Sequence, residues 1–205
     1  RLEEDGIHVL DIVEKPAPGT EMSREASIGR FLYTGEYLDR FQKSSKEAFG
    51  LDACVAVRSP AIALSVALEA LGLSEGDAVA VGALAPAYYA RELASRRLVP
   101  VFVDCLPDSA DLDLGSIASL DPKPKVLVLY EALGNMPDPE EVAGLGMAVI
   151  EDISESLGAY RGERRAGSLG QLTIVGLEHG SLVTSGGGAL VAAFGRREAQ
   201  VLRNL

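Results

Sequence analysis

Short apolar runs alternate with helical segments along most of the chain, and this alternation constrains the fold more than any other sequence feature. Apolar runs of four to six residues predict strands at residues 53–57, 78–81, 100–103, 125–130, 147–150 and 189–192. Patterns typical of helices occupy residues 36–49, 60–71, 88–97, 112–119 and 138–143. Strands that are apolar along their whole length and are joined by helices indicate a mostly parallel sheet covered on both faces. The sequence therefore predicts an α/β fold with three layers, αβα.

Several helix boundaries carry residues that start or stop helices. Gly50 follows the first predicted helix, at the position where glycine commonly ends one. Ser59 precedes the second helix as an N-cap residue, with Pro60 in the first turn and Gly72 just past the end. These residues support the predicted boundaries.

Composition and charge argue against several classes of partner. Of the 205 residues, 47% are hydrophobic, which is enough for one sizeable domain. The net charge is −11 and no basic cluster is present, which argues against binding to nucleic acid or to an anionic membrane.

Cys54 and Cys105 lie in apolar runs, so we expect buried thiols in a reducing cytosol. No apolar run is long enough to cross a bilayer and no signal peptide is visible, so a cytoplasmic location is expected.

Residues 148–191 contain the most distinctive motifs of the chain. An apolar strand ends in Glu151 and Asp152, the segment SLGAYRGERRAGSLG follows three residues later, and TSGGGALV closes the stretch. A carboxylate at the carboxyl end of a buried parallel strand lies where open α/β sheets bind ligands. In order and spacing, these motifs resemble the DegT/StrS family of PLP-dependent sugar aminotransferases, and the resemblance covers residues 43–205.

This resemblance implies the fold of the large domain of fold-type-I PLP-dependent transferases, without the family's C-terminal small domain. It also implies a homodimer and a nucleotide-sugar ligand. The family residue matched by Asp152 pairs with the pyridine nitrogen of the cofactor, and Glu155 stands where the family often has glutamine. Tyr88 lies close to the position of an aromatic residue that stacks on the cofactor ring. Ser59 opens the segment that binds the cofactor phosphate in the family.

Groups that hold the cofactor in the family are replaced in this chain. The Schiff-base lysine falls on Gly180, beside His179, and the sequence contains no lysine after Lys125. The phosphate-binding segment SGTAAL is SPAIAL at residues 59–64, so a proline removes an N–H donor and an alanine removes a hydroxyl. A second phosphate-binding serine falls on Val175. Because these groups change together, the sequence predicts that PLP is not tightly bound, and it assigns no catalytic residue.

Three of these positions also have simpler interpretations. Asp152 is either an acid that faces a ligand or a cap for the following turn through the backbone N–H of Ser154 or Ser156. His179 either supports dehydration chemistry in place of the lysine or is an ordinary loop residue. Tyr88 either stacks on a ligand or packs its helix against the sheet.

Residues 7–42 resemble a second family. The motif VEKP, followed by SIGRF and a helix start, is similar to the UDP-glucose pyrophosphorylase type of sugar nucleotidyltransferase, in which Glu14 and Lys15 would contact the sugar and phosphates. The Gly-rich nucleotide loop of that fold is missing. GRFLYTG within residues 29–50 resembles instead the entry segment of the DegT/StrS family, and a plain hairpin leading into a helix also fits.

We predict an N-terminal hairpin or entry segment at residues 1–42 and a PLP-transferase-like domain at residues 43–205. Both ends look cut, which suggests a piece of a longer polypeptide.

These observations support three functional hypotheses. The first is a sugar-aminotransferase-like protein of nucleotide-sugar or polysaccharide biosynthesis that has lost transamination. The second is an active PLP- or PMP-dependent sugar-modifying enzyme, either an aminotransferase completed by a partner's lysine or a dehydratase that uses His179. The third is a nucleotide-sugar-binding part of a nucleotidyltransferase fusion.

Overall fold

The computed structural model describes residues 36–49, 51, 53–193 and 195–204. The chain divides into two compact units, Arg1–Ser44 and Ser45–Leu205. In the first unit the described residues are 36–44, which are helical. Most of the predicted N-terminal hairpin or entry segment, together with Glu14 and Lys15, lies outside the described residues.

A seven-stranded sheet forms the centre of the second unit. Its strands are β1 (Ala53–Val57), β2 (Ala78–Gly82), β3 (Val99–Val103), β4 (Val126–Tyr130), β5 (Ala148–Asp152), β8 (Leu172–Gly176) and β9 (Ala189–Ala193). Their order across the sheet is β1-β9-β8-β5-β4-β2-β3. β9 runs antiparallel to both of its neighbours, and the other paired strands are parallel. A separate small hairpin pairs β6 (Tyr160–Arg161) with β7 (Arg164–Arg165).

The helices begin and end close to the predicted positions. They are α1 (Glu36–Phe49), α2 (Pro60–Ala70), α3 (Tyr88–Ser95), α4 (Pro139–Gly144) and α5 (Arg196–Asn204), with 3₁₀ helices at Leu114–Ser119 and Ala132–Gly134. The side chain of Ser59 accepts a hydrogen bond from the backbone N–H of Ile62, so the predicted N-cap of α2 is confirmed. None of the helices in the described part of the chain has the length and apolar character that a membrane span requires.

Side chains of successive strand residues point to opposite faces, and each face carries its own buried cluster. In β4, Val126 and Val128 belong to a cluster that includes residues of α2, α3 and α5, whereas Leu127 and Leu129 face the other side of the sheet. On that side they pack with Val142 of α4 and with residues of the first 3₁₀ helix. The sheet is therefore covered on both faces, and the predicted αβα fold is confirmed.

The prediction for the cysteines was only partly right. Both thiols are free, but Cys54 and Cys105 are half-buried rather than buried. Cys54 lies on β1, the outermost strand on its side of the sheet. Its side chain therefore has neighbouring strands on one side only. Burial nevertheless raises the pKa of the Cys54 thiol to about 11.

Candidate functional site

Three parallel strands end in residues that border one pocket. β4 ends at Tyr130, β5 at Asp152 and β8 at Gly176, and all three residues line a cavity of about 670 Å³. Tyr130 pairs in register with Asp152 on the neighbouring strand. Pro60, at the start of α2, and Tyr88, at the start of α3, also line the cavity. The pocket thus lies at the carboxyl edge of the sheet, where α/β folds bind ligands.

Asp152 is the most deeply placed polar group of this pocket, with no exposed surface. Its Oδ2 accepts hydrogen bonds from the hydroxyls of Tyr89 at 2.6 Å and Tyr88 at 3.3 Å. Its Oδ1 accepts bonds from the backbone N–H of Ser154, at 3.0 Å, and from the Ser154 hydroxyl. Burial raises the pKa of Asp152, while the bonds from Ser154 and Tyr89 act in the opposite direction. Asp152 therefore caps the turn through the backbone N–H of Ser154, and it also lines the pocket; its role toward a ligand stays a prediction.

Three tyrosines gather around this carboxylate. The rings of Tyr88 and Tyr89 meet edge-to-face with centroids 5.0 Å apart, and Tyr89 meets Tyr130 in the same way at 6.2 Å. The Glu155 carboxylate lies near the Tyr130 hydroxyl and contributes to the raised pKa of Tyr130. Burial raises the pKa of Tyr88 and of Tyr130, and the neighbouring carboxylates raise both further. Tyr88 and Tyr89 therefore act as neutral donors that hold the Asp152 carboxylate in place.

The mouth of the pocket is formed largely by the segment between β8 and β9. Glu178, His179, Gly180, Ser181 and Leu182 all line it. Leu133 and Glu155 also line it, and the Leu133 backbone N–H donates to Glu155 Oε2 at 2.7 Å. Asp152, Glu155 and Glu178 thus bring three carboxyl groups to the pocket. Its described lining contains no lysine or arginine.

Two further carboxyl groups are buried next to the site. Glu131 and Glu151 are respectively 1% and 0% exposed, and their side chains are hydrogen-bonded to each other. Glu151 accepts backbone N–H bonds from Gly167, Leu169 and Gly170, as suits a carboxylate. Burial first, and then the charge of Glu151, raise the pKa of Glu131 well above its usual range. The neutral form of Glu131 is therefore favoured at this position.

Five residues singled out from the sequence line this single pocket: Tyr88, Asp152, Glu155, His179 and Gly180. Ser59 does not line it, because its side chain is engaged as the cap of α2, and its neighbour Pro60 takes that place. The functional roles assigned to these residues stay predictions.

Val175, the expected counterpart of a phosphate-binding serine, faces away from the pocket. It is buried among Ile153, Leu177 and Leu190 on one face of the sheet. The next residue, Gly176, lines the pocket instead. Strand alternation explains the difference, because neighbouring residues of β8 point to opposite faces.

Tyr130 and Glu178 were not identified from the sequence, and Ser154 was named only as a possible cap partner of Asp152. Tyr130 had a usable signal, since it is the polar end of an apolar strand adjacent to the strand of Asp152. Ser154 follows Asp152 by two residues, a spacing typical of a side-chain cap. Glu178 has no local signal, because the chain leaving β8 brings it to the pocket.

Sequence and structure comparisons agree with this geometry. A sequence profile of the DegT/DnrJ/EryC1/StrS aminotransferase family matches residues 19–204. The chain belongs to this family. The match includes residues 29–42, so it supports the entry-segment interpretation of that stretch.

Individual relatives of this DegT/StrS family chain are sugar- or cyclitol-modifying proteins. It is 30% identical to an L-glutamine:2-deoxy-scyllo-inosose aminotransferase of Streptomyces kanamyceticus over 87% of this chain and 45% of the relative. It superposes on an aminotransferase from Psychrobacter cryohalolentis with a TM-score of 0.77, at 24% identity, over 92% of this chain and 51% of the other. A GDP-4-keto-6-deoxymannose-3-dehydratase gives a TM-score of 0.75, at 22% identity, over 82% and 47%. The chain spans about half the length of the curated relatives it matches.

The PLP-dependent relatives raise the question of whether this pocket fits PLP. The cofactor phosphate is an anion that needs N–H donors or cationic side chains. Here the described lining offers three carboxyl groups, and Pro60 begins the nearest helix. Asp152 Oδ2, the natural partner of a pyridine N–H, already accepts two tyrosine hydroxyls. Gly180 has a φ of 95°, a backbone conformation that strains a lysine. The donor set does not match the cofactor.

Proposed function

We propose that this DegT/StrS family chain is a sugar-aminotransferase-like protein of nucleotide-sugar or polysaccharide biosynthesis that does not carry out transamination. In this role it acts as a binding or partner subunit. The observation that carries the proposal is the acidic pocket, which is lined by Asp152, Glu155 and Glu178 and by no lysine or arginine of the described chain.

Two physical arguments support the loss of transamination. The reaction needs a lysine amine in the pocket, and the last lysine of the chain, Lys125, instead forms an ion pair with Asp77 at 2.7 Å. Binding of PLP also needs N–H donors or cationic side chains that offset the negative charge of its phosphate. Each charge-assisted hydrogen bond that is missing weakens binding by about 1.5–3 kcal/mol. The acidic lining also repels the phosphate and weakens binding further.

An absorbance titration with PLP, before and after borohydride reduction, tests the proposal. We expect no saturable spectral change and no stable adduct in the wild-type chain. Ser181→Lys is a matched positive variant, because Ser181 lines the pocket and its backbone does not have a positive φ. An adduct in Ser181→Lys alone supports the proposal. A stoichiometric, borohydride-stable adduct in the wild-type chain refutes it.

A dehydratase-type activity with PLP or PMP is the second candidate, and the position of His179 favours it. His179 lines the same pocket as Asp152. One of the structural neighbours is a dehydratase of a GDP-linked keto sugar. Saturable cofactor binding that borohydride does not trap, and that is lost in His179→Asn, supports this candidate. Cofactor binding that is unchanged in His179→Asn argues against it.

The remaining predictions concern the whole protein and its partners. We propose a homodimer, a nucleotide-sugar ligand and the division into residues 1–42 and 43–205 from the family resemblance. A cytoplasmic location stays an expectation from the sequence. Calorimetry with UDP-glucose on the wild-type chain and on Glu14→Ala and Lys15→Ala tests the nucleotidyltransferase-like alternative. Binding that both substitutions weaken supports it, and binding that is absent or unchanged eliminates it.

A further inference from the structure

We propose that the protein has a second ligand site, an apolar cavity that binds a small ionised carboxylic acid, with Arg165 as the partner of the carboxylate. The cavity has a volume of about 310 Å³. None of the described residues that line it also lines the pocket around Asp152. The inference therefore goes beyond the proposed function and does not depend on it.

Small side chains on two paired strands form the floor of this cavity. Thr173 and Val175 are alternate residues of β8 and point to the same face of the sheet, and Ala192 of β9 pairs in register with Thr173. On this face Val175 packs with Ile153, away from the pocket around Asp152. Alanine and threonine fill little of the space above the sheet, so a hollow remains there.

Apolar side chains form the walls, and the cavity opens to solvent. The wall residues come from the end of α1 and from the segment that follows β5: they are Phe49, Leu51, Ile153 and Leu157. Tyr160 and Val183 also line the cavity and are exposed, so they mark its mouth. An apolar cavity of about 150 Å³ accommodates benzene, so about twice that volume has room for a ligand of roughly ten non-hydrogen atoms.

Arg165 is the only charged residue among the described residues that line the cavity. It lies on β7 of the small hairpin and is half-buried, whereas its neighbour Arg164 is exposed. A single cation beside an apolar cavity selects an anion. The planar guanidinium of arginine pairs with both oxygens of a carboxylate. Its five N–H groups allow this pairing beside the other interaction that Arg165 makes within the chain.

The remaining polar groups favour a monocarboxylate over a more polar ligand. The Thr173 hydroxyl already donates to the Gly167 carbonyl oxygen at 2.8 Å, so it does not offer its proton to a ligand. One guanidinium balances the single charge of a carboxylate, whereas a phosphate monoester carries up to about two charges. Burial of the apolar part of the acid supplies the rest of the binding free energy. The geometry thus points to an acid with one carboxylate and one apolar chain or ring.

Isothermal titration calorimetry with octanoate, octan-1-ol and octylammonium at pH 7 tests this inference. The three probes share one chain of suitable size, and their head groups are negative, neutral and positive. We expect octanoate to bind with a Kd below about 1 mM, and the other two to bind at least about tenfold more weakly. Octan-1-ol that binds as tightly as octanoate, or no binding of octanoate up to about 20 mM, would overturn the inference.

Variants of Arg165 test the partner of the carboxylate. Arg165→Gln should weaken octanoate binding about tenfold and change octan-1-ol binding by less than about twofold, because only the charged pair is lost. Arg165→Lys restores the charge and should recover part of the octanoate affinity. Arg164→Gln is the matched control, because Arg164 lies on the same short strand, is exposed and does not line the cavity. Unchanged octanoate affinity in Arg165→Gln overturns the assignment of Arg165.

Ala192→Leu tests the cavity itself. The larger side chain occupies part of the space above the floor, so it should weaken octanoate and octan-1-ol binding alike, by about fivefold or more. Circular dichroism verifies the folding of each variant. If Ala192→Leu does not fold, the Arg165 variants and the comparison of the three probes on the wild-type chain decide. Full octanoate affinity in folded Ala192→Leu overturns the cavity as the site.

Discussion

Replacing Glu131 by glutamine should stabilise the protein at neutral pH. Glu131 is buried, its Oε2 accepts a hydrogen bond from the Ser156 hydroxyl, and it shares a proton with Glu151. Its Oε1 is buried without a hydrogen-bond partner among the described residues, a position that disfavours a charged carboxylate. Glutamine has the same shape, can accept from Ser156 through its carbonyl and can donate to Glu151 through its amide. It needs no proton to do so.

The sign and size of the effect follow from proton linkage. The pKa of Glu131 is raised in the folded protein, so folded chains keep a proton that unfolded chains lose above about pH 4.3. Stability therefore falls as pH rises from that value toward the folded-state pKa. The slope is about 1.4 kcal/mol per pH unit for one full proton. Between pH 5.5 and 7.5 the wild-type chain should lose up to about 3 kcal/mol that Glu131→Gln retains.

Urea denaturation at pH 5.5 and pH 7.5 measures this difference. The advantage of Glu131→Gln over wild type in free energy of unfolding should grow by about 1–3 kcal/mol between pH 5.5 and pH 7.5. Asp152 titrates in both proteins, so its contribution cancels. Glu163→Gln, an exposed substitution, should follow the wild-type profile. Parallel profiles for wild type and Glu131→Gln would refute the protonated pair.

Three further predictions concern packing and capping, each measured as a free energy of unfolding in urea. Gly170→Ala should lower the free energy of unfolding by about 2–3 kcal/mol, because the new Cβ would lie 2.6 Å from the Val149 carbonyl oxygen. Gly144→Ala is the control, because a Cβ at Gly144 meets open space, and it should change stability by less than about 1 kcal/mol. Equal effects would contradict the close approach. Ser59→Ala should cost about 1 kcal/mol through loss of the α2 cap, and no loss would mean that the cap is not needed. Leu127→Ala should cost about 2–5 kcal/mol because the side chain has no exposed surface, and a cost below about 1 kcal/mol would contradict its place in the core.

Most of the secondary structure could be predicted because its signals are local. The strand at Ala53–Val57 and the helix at Glu36–Phe49 have the predicted bounds, and the cap at Ser59 forms as expected. Apolar periodicity and the conformational preferences of serine, proline and glycine act over a few residues, so they can be read without the fold. β8 was missed although its burial is complete, because a five-residue apolar run between two loops has no helix beside it to mark a βα unit.

The candidate site could be predicted only in part. Asp152 and Tyr88 were identified because motif spacing and strand ends point to them. Tyr130 and Glu178 were not, because their proximity to Asp152 depends on which strands are neighbours and on the path of the chain after β8. Residue spacing also placed Val175 at the phosphate site, whereas the pleat of β8 turns it into the core.

By itself, then, the sequence determined the αβα class, most of the helix and strand boundaries, the family and the absence of a lysine after Lys125. Those properties depend on residue types and short-range spacing. Only the tertiary structure decided the strand order, the antiparallel insertion of β9, the tyrosines around Asp152 and the proton shared by Glu131 and Glu151. Each of these needs residues far apart in the chain to meet in a buried, low-dielectric place. There, hydrogen bonding and desolvation set their chemistry.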